Sequence, residues 1–105
     1  MTRVMEFKKA DSDKRIGTSR MGTIDISYDE LVSVLGEPDT CEDGDKVDAH
    51  WLIEFGNGTV ASIYNYKDGK NYNGDAGTET KDIRAWHIGG KTEESATLVH
   101  ILFNP

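Results

Sequence analysis

Disulfides, membrane-spanning segments and surplus positive charge are all missing from this chain of 105 residues. Its single cysteine, Cys41, excludes an internal disulfide and suits a reducing cytoplasm. No apolar run approaches the ~18 residues of a membrane-spanning helix or a signal-peptide core. Only 12 lysines and arginines stand against 19 aspartates and glutamates, and the net charge of −7 disfavours direct contact with nucleic acid or an anionic membrane. Metal-ligand spacing is lacking as well. Neither CxxC nor HxxxH occurs, and when Gly44 is set as the sixth position of a calcium loop, Cys41 and His50 fall where acids are required. What remains is a chain with room for one domain, needing no cofactor, whose natural partner is something basic.

The charge that is present is unevenly placed. Residues 1–20 carry six bases and three acids, whereas residues 25–54 carry ten acids and only Lys46. The remainder, 55–105, is nearly balanced. A run of this kind either solubilises a loop and strand face or forms a patch that steers a basic partner. In the second case the partner-binding residues are Glu37, Asp39, Glu42, Asp43, Asp45 and Asp48.

Residues 1–20 offer few apolar positions and are expected as a flexible or loosely docked arm. From Thr23 to Ile26 the alternation of Ile24 and Ile26 suggests a short strand or an extended lead-in. Ser27-Tyr28-Asp29-Glu30 is a capping box, and Leu31, Val34 and Leu35 follow at helical spacing before Gly36-Glu37-Pro38 ends the helix. The period then becomes two: Val47, Ala49, Trp51, Ile53 and Phe55 alternate with Asp48, His50, Leu52 and Glu54. Gly56-Asn57-Gly58 signals a hairpin, and the return strand runs from Thr59 to Tyr66 with apolar groups on both faces. Residues 67–81 read as a long loop, Ile83 to Ile88 as a third strand broken by Gly89-Gly90, and Thr92 as the cap of a C-terminal helix. The expected fold is a two-layer α+β domain over residues 21–105, a three-stranded antiparallel meander packed against a short helix and a C-terminal helix. Trp51 and Trp86, each mid-strand, are expected in its core.

Catalytic signals are sparse. His50, His87 and His100 are the only histidines, and no nucleophile motif accompanies them, so the chain reads as a non-enzyme. Cys41 sits among acids that disfavour a thiolate. A small ligand has one candidate place. The turn His87-Ile88-Gly89-Gly90-Lys91-Thr92 lacks the frame of a P-loop but permits close backbone approach, and Trp51, Tyr64, Tyr66, Tyr72 and Trp86 could stack a base. The competing interpretation is a strand-to-helix turn that needs glycine geometry.

Leu35-Gly36-Glu37-Pro38, Trp51, Ile63-Tyr64-Asn65-Tyr66-Lys67 and Trp86-His87-Ile88-Gly89-Gly90 together resemble a pattern of small uncharacterised bacteriophage and prophage proteins. The pattern spans residues 31–90, and none of its pieces is a catalytic signature. The helix-then-meander order is similar, more loosely, to small α+β domains of protein inhibition and outer-membrane assembly. The first resemblance implies an interaction role, that of a stoichiometric inhibitor of host defence of the anti-CRISPR kind in the bacterial cytoplasm; it is the acidic patch that would direct such an inhibitor to a basic, normally nucleic-acid-binding surface of a host protein. The alternatives are a nucleotide-sequestering sponge, working as a homo-oligomer, and a structural or assembly protein.

Overall fold

A computed structural model describes residues 6–10, 17–38, 49–65 and 73–103. Among them, five strands and two helices follow the chain: β1 Phe7–Lys9, β2 Ser19–Asp25, α1 Tyr28–Leu35, β3 His50–Phe55, β4 Val60–Tyr64, β5 Ala85–Gly90 and α2 Glu94–Phe103. The strands make one antiparallel sheet in the order β1-β3-β4-β5-β2. The α+β class therefore holds. The expected meander, β3-β4-β5, is the centre of a larger sheet.

Pairing register decides which residues share a face. Trp51 lies opposite Ile63, Ile63 opposite Ile88, and Trp86 opposite Ile24. Together with Ile53, Phe55 and Ala61 these make the face that meets Leu31 and Leu35 of α1 and Val99 and Leu102 of α2. The choice left open for β4 is thereby settled: Ala61 and Ile63 point to the core, while Val60, Ser62 and Tyr64 point to the other face. Trp51 and Trp86 are both 0% exposed, as their mid-strand positions suggested.

Helix α1 is fixed at both ends. Ser27 accepts the Glu30 amide at 3.1 Å, which starts the helix, and the Gly36 amide donates to the Val32 carbonyl at 2.8 Å, which closes it. The indole N–H of Trp86 donates to the Ile26 carbonyl at 3.0 Å, just ahead of the cap, and that of Trp51 donates to the Gly36 carbonyl at 2.8 Å. Each tryptophan thus buries its large ring and satisfies its one donor on the backbone flanking α1. The Tyr28 ring packs against both, with centroids 5.9 Å from Trp51 and 6.4 Å from Trp86.

Helix α2 is locked by small residues. Ser95 is buried and its hydroxyl donates to the Val60 carbonyl at 2.6 Å, in space that exists because residue 90 has no side chain: a Cβ there would collide with Ser95. Gly22 of β2 faces the Ala96 methyl in the same way, at 3.1 Å from where a Cβ would stand.

Four expectations need correction. Within the supposed arm of residues 1–20, Phe7–Lys9 is edge strand β1, paired with Phe55, Glu54 and Ile53, and Ser19 and Arg20 begin the opposite edge strand β2. Phe7 is anchored by an edge contact with the Phe55 ring, centroids 6.5 Å apart. Gly89-Gly90 does not break the third strand but belongs to β5, paired with Ser62 and Ala61 on one side and with Arg20 and Ser19 on the other. The stretch expected as a featureless loop over 67–81 contains single 3-10 turns at Gly74–Ala76 and Thr80–Asp82, while 67–72 lies outside the described residues. Finally, α2 begins at Glu94 rather than directly after Thr92, whose carbonyl instead accepts the Ser95 amide. The β3-β4 connection is the four residues 56–59, with the Phe55 amide bonded to the Thr59 carbonyl and Gly58 at a φ of 89°.

Candidate functional site

Two surfaces of different character emerge, one on each side of the sheet. On the helix side, Asp29 and Glu30 occupy the first turn of α1, where carboxylates complement the positive end of the helix dipole, and Glu37 follows its last turn. All three are exposed. The main-chain carbonyl of Glu37 accepts the Lys9 ammonium at 2.9 Å, which ties β1 to the end of α1. Burial, and then the fields of Glu37 and Asp29, push the Tyr28 phenol above its ordinary pKa. The field of these carboxylates is therefore felt by the aromatic cluster beneath them. Of the six acids expected to form the docking patch, Glu37 is placed at the C-terminal end of α1. Asp39, Glu42, Asp43, Asp45 and Asp48 lie outside the described residues.

The second face carries the other set of candidates. His50 lies opposite Tyr64, Tyr64 opposite His87, and His87 opposite Thr23, so four strands contribute one transverse row. The rings of Tyr64 and His87 meet edge to face, centroids 5.4 Å apart. The neighbouring row is Leu52, Ser62, Gly89 and Arg20. A side chain at residue 89 would collide with the Ser62 hydroxyl and lie 3.4 Å from Tyr64 Cε1, so the space above the buried Gly89 is taken by Ser62 and the edge of the tyrosine ring. The face is buried over β3 and β4, where Leu52 is 2% and Ser62 4% exposed. Over β2 it is open, with Arg20, Thr23 and Asp25 exposed.

The residues expected to bind a small ligand are therefore divided by the fold. Tyr64, His87 and Gly89 come together on the second face. Gly90 does not join them, because it points to the helices and its space is taken by Ser95. Lys91 is exposed just past β5, and Tyr66 and Tyr72 lie outside the described residues. The third histidine, His100, belongs to α2, and its Nε2 donates to the Thr23 carbonyl at 2.9 Å. Among the described residues, no three of His, Cys, Asp and Glu converge as metal ligands, and no helix is long and apolar enough to cross a membrane.

Local patterns gave no hint of Arg20 and Thr23 as neighbours of Tyr64 and His87. Their placement depends on β2 pairing with β5, two strands far apart in sequence. An irregularity between Arg20 and Gly22 shifts the register there, so Met21 has no partner of its own and Arg20 is set opposite Gly89.

These features define the class as a small α+β domain with a five-stranded antiparallel sheet covered by helices on one face. No family model matches the chain, and no curated protein resembles it significantly.

Proposed function

We propose that the protein is a non-enzymatic inhibitor of the kind bacteriophages direct against host defence, and that it docks its acidic side on a basic, nucleic-acid-binding surface of a host protein. The supporting observation is the concentration of ten acids and one lysine within residues 25–54. Three of those acids, Asp29, Glu30 and Glu37, are displayed around a helix held at both ends by buried tryptophans. Carboxylates carried on so fixed an element can stand in for phosphates at little ordering cost, because few backbone torsions remain to be frozen on binding. Charge complementarity of this type speeds association and makes it sensitive to salt.

The test is capture of bacterial lysate proteins on immobilised wild-type protein and on an Asp29→Asn/Glu30→Gln/Glu37→Gln variant, at low and high salt, with duplex DNA as competitor. A captured protein should be released by salt and by DNA, and should be held less by the variant. Retention that is equal at both salt concentrations, or equal for the variant, would rule the docking mode out.

A further inference from the structure

The two edges of the sheet are guarded to different degrees. An edge strand offers a row of unpaired amides and carbonyls to any other strand, and short length, lysine, proline and irregular pairing are what blunt it. Strand β1 is three residues long, and two of them are Lys8 and Lys9. Strand β2 is seven residues long with no lysine or proline, and among the described residues no strand lies beyond it. Arg20, Thr23 and Asp25 of β2 are exposed. Backbone direction alternates along such a strand. The Ile26 amide donates inward to the Arg84 carbonyl at 2.9 Å and Ile24 sits opposite Trp86, so Thr23 and Asp25 turn their amides and carbonyls outward. One of these outward groups is already occupied: His100, exposed on α2, donates from Nε2 to the Thr23 carbonyl at 2.9 Å. One turn earlier in the same helix, Ala96 lies close against Gly22 of β2, which fixes α2 along this edge.

We propose that the outer edge of β2 pairs with β2 of a second copy of this chain, and that His100 is a latch competing for the carbonyl at the centre of that pairing. The charges of the strand favour a second copy as the occupant. In an antiparallel pairing about a two-fold axis at Thr23, Asp25 of each copy comes opposite Met21 of the other, beside Arg20, so unlike charges approach twice. Asp25 bonds Arg84 through Oδ1 at 3.1 Å and stays exposed, which leaves Oδ2 for a second guanidinium. The result is one continuous sheet through both copies. The acids of α1 take no part in it, so it holds or fails independently of docking on a host protein.

Sedimentation equilibrium of the intact protein over a concentration series tests this, with wild type beside His100→Ala. The variant should dimerise at least ~10-fold more tightly than the wild type, because a competing bond is released on each copy. Its Thr23 and Asp25 amides should exchange hydrogen more slowly as concentration rises. Adding Thr23→Lys sets like charges against each other at the axis and should return the His100→Ala protein to monomer. Both positions are exposed, so these variants keep the fold. A His100→Ala protein that stays monomeric, whether β2 is left bare or takes up another protein's extended segment, would overturn the proposal. So would a dimer that Thr23→Lys leaves intact, or one in which exchange at Thr23 and Asp25 does not slow.

Discussion

The two faces of the sheet solve different problems with the same strands. Under the helices, every strand contributes an apolar residue, and the two tryptophans add directional hydrogen bonds to the backbone at either end of α1. On the second face, burial over β3 and β4 gives way to exposure over β2, and the side chains become Arg20, Thr23, Tyr64 and His87. The first face fixes the shape of the molecule, and the second is where polar chemistry can vary without dismantling it. Substitutions should therefore be costly on the helix side and over β3 and β4, and mild in stability only at the exposed β2 positions Arg20 and Thr23 of the second face.

The strongest way to break this contrast is to remove a tryptophan. Trp86→Ala or Trp51→Ala should cost ~3–5 kcal/mol, because each leaves a large void and an unsatisfied carbonyl beside α1. Trp86→Phe keeps much of the ring volume and loses the bond to Ile26, so it should cost less. Urea unfolding measures all three. A Trp86→Ala protein as stable as the wild type would show that the helix-side face is not what holds the fold.

The paired glycines of β5 give a finer comparison, since adjacent residues face opposite sides. Gly90→Ala places a methyl against Ser95, which is buried and bonded to the Val60 carbonyl and cannot swing away, so a loss of ~1–3 kcal/mol from overpacking is expected. Ser95→Gly in the same chain should recover part of it. At Gly89 the obstacle is the Ser62 hydroxyl, the end of a short side chain, so Gly89→Ala should be rescued by Ser62→Ala. If neither rescue occurs in urea unfolding, close approach is not the reason these positions are glycine.

That pair also shows where sequence patterns inform and where they mislead. The boundaries of α1 were readable because capping is local: Ser27, Glu30 and Gly36 act within one turn of the ends they define. The β3-β4 hairpin was readable for the same reason, through alternation and the Asn57-Gly58 turn. Strand β1 was not, and β2 only at its end, where Ile24 and Ile26 suggested a short strand from Thr23, because Phe7 is the only apolar residue of β1 and Ile24 the only buried one of β2. What makes them strands is partners elsewhere in the chain: Phe55 and Ile53 for β1, Trp86 and Ile88 for β2. Gly89-Gly90 looked like a strand break because the side chains that fill the missing Cβ space, Ser62, Tyr64 and Ser95, come from other elements. The candidate ligand residues Tyr64, His87 and Gly89 were visible as residue types, but their neighbour Arg20 emerged only from cross-strand register.

The smallest expected effect concerns Tyr28, which joins the aromatic cluster to the acidic surface. Burial is the larger cause of its raised pKa and the fields of Glu37 and Asp29 are the lesser ones, so the folded protein holds the phenolic proton more tightly than the unfolded chain does. The sign of the linkage follows. The stabilisation is fully present below the ordinary phenol value of ~10 and is lost as pH rises through the higher folded value. Wild-type protein should lose stability more steeply than Tyr28→Phe, which has no proton to lose, as pH rises from ~10 through the folded value. Glu37→Gln should bring the phenol only part of the way back, since burial remains. Ultraviolet titration of the wild type minus Tyr28→Phe isolates this one ionisation. A Tyr28 phenol that ionises at or below the ordinary value would mean that the ring is not buried between the tryptophans and that the acids around α1 exert no field on it, removing the electrostatic link between the core face and the docking surface.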